Sequence, residues 1–124
     1  MGYESRLIVV RKSEMRFNNL FFAEKIAEFD LRSVDNEVMM LINMVGKDTD
    51  CVVDYNEYGN GINTDEYGEV CKEFTLDDMI AILKEGIRVS DYHRYPVCLA
   101  MLESFKLGEL GGQWNDLVVI HYGY

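Results

Sequence analysis

Leu117-Val118-Val119-Ile120 is apolar without a break, inside a strand-like stretch running from Asp116 to Tyr122. A strand with one wet face alternates apolar and polar residues, whereas a continuous apolar run suits a central position in a sheet. The rest of the chain must therefore supply flanking strands and a covering layer. Arg6-Leu7-Ile8-Val9-Val10-Arg11 is β-branched and apolar with charged ends, and predicts a first strand. In Phe21 to Leu31, the residues Ala27, Phe29 and Leu31 alternate with Glu28, Asp30 and Arg32. That period of two favours a second strand paired with the first, although Ala23, Ile26 and Ala27 could also lie along a helix.

The clearest helix begins at Thr75, with Asp78 three residues later in a capping-box-like position. Leu76, Met79, Ile80, Leu83 and Ile87 form one stripe, while Asp77, Asp78, Lys84, Glu85 and Arg88 face outward. Pro96 suits the first turn of a further helix, with Val97, Met101 and Phe105 on one face, Cys98 and Leu102 beside it, and Gly108 at its end. A short helix from Glu37 to Val45, capped by Ser33 or Asp35 and ended by Gly46, is also expected. Cys51 to Tyr55 suggests a strand, and Gly59-Asn60-Gly61 a turn that returns through Ile62 toward Tyr67, with Gly68 in another turn. The order of elements predicts a single α+β domain over residues 1–124: a mainly antiparallel sheet of four to five strands with two to three helices packed on one face.

At 124 residues and 48% hydrophobic content the chain can build a substantial core. Its apolar runs, such as Val38 to Val45, are too short to span a bilayer, and Met1 to Arg6 lacks the pattern of a signal peptide. Cys51, Cys71 and Cys98 are odd in number and unclustered, as expected of reduced, buried thiols in a cytoplasmic protein.

Charge is distributed unevenly. From Glu28 to Asp78 there are fourteen acidic residues against three basic ones, which accounts for the whole net charge of −10. Such a surface repels nucleic acid and anionic lipid and attracts basic proteins or cations. Asp48, Asp50, Asp54, Glu57, Asp65, Glu66 and Glu69 are the candidate carboxylates for a basic partner, with Tyr55, Tyr58 and Tyr67 as amphipathic anchors. Asp54, Asn56, Gly59 and Asp65 match positions one, three, six and twelve of a twelve-residue calcium loop. Tyr58 at position five, Gly61 at position eight and Asp rather than Glu at position twelve argue instead for a hairpin with solvated carboxylates. No metal or other cofactor is expected.

The chain has no nucleophile elbow, phosphate-binding glycine loop or zinc-protease motif. His93, Cys98 and His121 are the residues an enzyme would have to use, but their spacing defines no catalytic pair, so a binding role is favoured over catalysis. A second possibility is a homo-oligomer that sequesters a small molecule or nucleotide, with Arg11, Arg16, Arg88, Arg94, Tyr92 and Trp114 as contacts. A structural or assembly component is another.

Three segments carry a resemblance: Gly2 to Val10, Ile26-Ala27-Glu28-Phe29-Asp30-Leu31, and Trp114 to Tyr124. They resemble small uncharacterised proteins encoded by phages and prophages of Gram-positive bacteria. The resemblance implies a phage accessory protein acting in the host cytoplasm and assigns no residue a role. Together with the acidic middle, it points to an anti-defence inhibitor that mimics DNA and occludes the basic surface of a host nucleic-acid-acting protein.

Overall fold

A computed structural model describes residues 3–107 and 117–124. The first strand, β1 (Ser5–Phe17), turns through Asn18 into β2 (Leu20–Arg32), and the two pair antiparallel as a long hairpin. Asn18 takes a φ of 56°, a left-handed conformation that asparagine tolerates in tight turns. Then follow α1 (Asn36–Val45), β3 (Lys47–Asp48), β4 (Asp54–Tyr55), β5 (Gly61–Ile62), β6 (Lys72–Thr75), α2 (Leu76–Val89), α3 (Arg94–Lys106) and β7 (Leu117–Gly123). The architecture is α+β, as the order of elements predicts.

Five strands form one antiparallel sheet in the order β2-β1-β7-β6-β3, and β4 and β5 make a separate small ribbon. The apolar run 117–120 therefore occupies the middle strand, between β1 and β6. Side chains of β1 alternate between two cores. Leu7 and Val9 join Phe29, Leu31, Phe74, Leu117 and Val119 beneath the three helices. Ile8 and Val10 join Ile120 and Tyr122 on the opposite face, where Cys51 and Cys71 from the segment between α1 and β6 cover them. The helices thus occupy one face, and the acidic middle of the chain lies over part of the other.

The α2 stripe holds at Leu76, Met79, Ile80 and Leu83, and the Asp78 N–H donates to Thr75 Oγ1 at 3.1 Å, completing the N-cap. Its last expected member, Ile87, is exposed, and Ile82 and Gly86 are buried instead. Asp35 precedes α1 but does not cap it with its side chain. Its Oδ2 accepts a hydrogen bond from the Tyr95 hydroxyl, and its backbone N–H donates to the Tyr95 hydroxyl oxygen, both at 2.9 Å. This clamp turns α3 so that Tyr95, Cys98 and Leu102 face the core, leaving Val97 and Met101 exposed. Of the expected Val97–Met101–Phe105 face, Val97 and Met101 are thus outward, while Phe105 packs against the core.

Regular pairing in the middle segment is shorter than the sequence suggests. Cys51 forms an isolated parallel bridge with Phe21, and the hairpin is confined to Asp54–Tyr55 and Gly61–Ile62. Gly59 has the positive φ, 79°, that its turn requires, whereas Gly61 sits within the ribbon against Val52. Beyond Ile62 the chain makes a Thr64–Val70 bridge around the turn at Gly68 rather than a longer strand. Strands β3 and β6 have no counterpart in the sequence pattern. Gly108, Trp114 and Asp116 lie outside the described residues. Among those described, no helix is long and apolar enough to cross a membrane.

Candidate functional site

The carboxylates of the middle segment divide into two groups. Asp48, on the outermost strand, receives the Lys72 ammonium at 2.8 Å, and Asp50 receives Lys12 at 2.7 Å. Asp54 Oδ1 accepts its neighbour Tyr55's N–H, and its Oδ2 accepts the Tyr122 hydroxyl at 3.1 Å. Asp65 is buried, and its Oδ1 accepts the N–H groups of Tyr67 and Glu69, holding the turn at Gly68 closed. These four carboxylates are committed to partners within the fold.

Glu57, Glu66 and Glu69 differ. They are exposed, and no ion pair engages them among the described residues. Tyr55, Tyr58 and Tyr67 stand beside them in the same turns, 58%, 80% and 54% exposed. The ten residues singled out from the sequence thus reduce to three solvated glutamates and three tyrosines, mounted on turns that the aspartates build. The backbone of these turns is well supported. Asn56 Oδ1 accepts from the N–H of Tyr58 and of Asn60, and the Glu66 N–H donates to the Gly123 carbonyl in the central strand.

The same hydrogen bonds account for the calcium-like spacing. The side-chain oxygens of Asp54, Asn56 and Asp65 accept from their own loops, as turn residues do, and are not gathered around a common centre. Elsewhere, Asp50, Cys51 and Glu73 bring their ligand atoms within 4.8 Å of one another. A cation already lies among them. Lys12 Nζ is 2.7 Å from Asp50 and 3.0 Å from the buried Glu73, whose other oxygen accepts the Thr49 hydroxyl at 2.9 Å. This is a buried ion pair with its hydrogen bonds satisfied, and the lysine fills the place a metal would take.

Beside the acidic ribbon, a groove of about 430 Å³ runs over the sheet face that the helices leave free. Ile8, Val10 and Ile120 form its floor, with Tyr55 and Tyr122 alongside and charges of both signs at its rim. Arg6 is engaged there by Asp30 at 2.9 Å and stacks over the Tyr124 ring. The cations expected to gather around a small molecule do not converge. Arg16 lies over Phe21 near the hairpin tip, Arg88 ends α2 and Arg94 begins α3. Trp114 is outside the described residues.

The residues available for catalysis are also dispersed. His121 is buried, its Nε2 2.7 Å from the fully buried Ser5 Oγ, and burial lowers its pKa to about 4, opposed by the charge of Asp65. That imidazole is neutral at physiological pH, and its serine is closed to substrate. Burial pushes the Cys98 thiol up to about 11 and Cys71 to about 12, and raises Cys51, so all three remain protonated. His93 precedes α3 and is exposed, whereas His121 is buried within β7. Comparison of the chain with protein-family models, curated proteins and solved structures gives no match.

Proposed function

We propose that this protein is a binding protein whose Glu57–Glu66–Glu69 surface, with Tyr55, Tyr58 and Tyr67, docks on a basic patch of another protein. The observation that carries this reading is the division of the carboxylates. The aspartates shape the turns, while the glutamates on those turns face solvent beside exposed tyrosines. Tyrosine gives a large contact area at low entropic cost, and uncommitted carboxylates add charge complementarity and fast encounter. Duplex DNA presents about one negative charge per 1.7 Å of axis, so a carboxylate-rich face competes for the same lysine and arginine groove. The partner class is therefore a nucleic-acid-acting protein. The likeness of the chain's two ends to phage-encoded proteins supports a bacterial cytoplasmic setting and a defence nuclease as target.

The test is capture from bacterial lysate with wild type and with the Glu57→Gln/Glu66→Gln/Glu69→Gln variant, at low and high salt and with competing duplex DNA. A nucleic-acid-acting protein should be retained by wild type at low salt, displaced by DNA or salt, and lost with the triple variant. Equal retention by the triple variant overturns the reading. The groove beneath Tyr55 favours a second reading, a small amphipathic ligand held over Ile8, Val10 and Ile120. A small molecule released on denaturing the purified protein, with no protein partner, would select it.

A further inference from the structure

The sheet has one long open edge. β2 is its outermost strand on that side, and the surrounding chain blocks it only at its ends. At the upstream end, Phe21 exchanges backbone hydrogen bonds with Asp50 and Val52. At the downstream end, Arg94 and the Tyr92 hydroxyl donate to the carbonyls of Asp30 and Leu31. Between these blocks, residues 23–29 have no outer backbone partner among the described residues.

Helix α3 lies against this edge, and its outer side is apolar. Val97 is 57% and Met101 42% exposed, and with Phe29 they line a shallow groove of about 310 Å³ beside β2. A strand added to β2 would continue the sheet, and a helix carried with it would cover Val97 and Met101. Both features are self-complementary under a two-fold axis.

The register of β2 specifies how a second copy fits. Lys25 lies opposite Val10, and Glu28 opposite Ile8, so both point to the face away from the helices. They share a face despite odd spacing because a register shift at Val9/Val10 leaves Ile26 as an extra residue. Antiparallel pairing of two β2 strands with Lys25 against the partner's Glu28 also sets Glu24 opposite the partner's Phe29, and Ala23 opposite the partner's Asp30. Every one of these pairs has both members on the same face. The pairing spans residues 23–30, the open stretch together with Asp30, whose carbonyl Arg94 engages at its downstream end. Within one chain Lys25 Nζ already bonds Glu28 at 2.8 Å, so pairing exchanges two internal ion pairs, one in each chain, for two intermolecular ones.

We propose that β2 is the interface of a two-fold homodimer, in which the sheets join edge to edge with reciprocal Lys25–Glu28 pairs and the α3 helices meet through Val97 and Met101. Charges and a bulge on an edge ordinarily deter promiscuous pairing. Here they favour the register that sets Lys25 against Glu28 within the open stretch.

Light scattering after size exclusion should give about twice the chain mass of 14.4 kDa. Lys25→Glu and Glu28→Lys should each weaken dimerisation about tenfold or more, because each homodimer then faces like charges across the axis. An equimolar mixture of these two variants should recover the dimer mass, since one chain offers two carboxylates and the other two ammonium groups. Met101→Glu, at an exposed position, should give a folded monomer by circular dichroism. A wild type of 14.4 kDa at the highest attainable concentration overturns the proposal. So does a dimer indifferent to the single substitutions, or a mixture that stays monomeric.

Discussion

His121 shows how far a single side chain is shaped by its setting. It is buried against Ser5 with the Tyr3 ring stacked beside it, so its charged form is disfavoured in the folded state. The folded pKa, about 4, lies below the ordinary 6.5. Between those values the unfolded chain binds the proton and the folded chain does not, so stability falls as pH drops through that window. The loss attributable to His121 should reach about 3 kcal/mol. Urea unfolding of His121→Gln should show a flatter pH dependence from 6.5 to 4 than wild type. Asp30 and Asp50 act lower on the scale. Hydrogen bonds from Arg6 and Lys12 hold their pKa values below 3.8, so their contribution is lost only in stronger acid. Glu73 is a second residue with a demanding environment. Lys12→Met leaves its buried carboxylate with Thr49 and a lysine, Lys47, at 3.6 Å, and should cost about 3 kcal/mol in urea unfolding. The double variant Lys12→Met/Glu73→Leu should cost less, because the uncompensated charge is gone.

Between elements, close approach matters more than propensity. Gly46 ends α1 with a φ of −68°, which any residue can adopt, so its role is not conformational freedom. A Cβ there would lie 2.6 Å from Phe74 Cζ and 2.7 Å from Lys72 Cβ. The glycine lets α1 turn directly onto β6, and Gly46→Ala should destabilise by about 1–3 kcal/mol in thermal or urea unfolding. What could be read from sequence follows the same division between local and distant causes. The central strand and α2 were legible because their signals are local: an unbroken apolar run, a cap and a stripe. Strands β3 and β6 were not, since two to four residues of mixed polarity become strands only through distant neighbours. The outward face of α3 is not legible from its own residues because the Tyr95–Asp35 clamp joins residues sixty apart in the chain. The candidate site was legible as a segregation of acids and tyrosines. Which acids are committed depends on Lys12, Lys72 and Tyr122, and no spacing rule connects these to Asp50, Asp48 and Asp54.

In the whole molecule, the sheet separates two kinds of surface. One face carries the helices and most of the apolar core, and the other carries the turn layer with its solvated glutamates and the groove. Placing the acidic segment in turns keeps like charges spread along an irregular, solvated path, away from the packed layer, where their repulsion and desolvation would be costly. The middle strand also binds the beginning of the described chain to its end. Glu4 and Tyr124 exchange backbone hydrogen bonds, and Ser5 and His121 are 116 residues apart. During synthesis, therefore, β1 leaves the ribosome long before the strand that will lie beside it. The β1–β2 hairpin and the helices can form as they emerge, but β6 and β1 cannot be joined until β7 slides between them. Assembly of this sheet therefore waits on β7, the strand that both of its neighbours need.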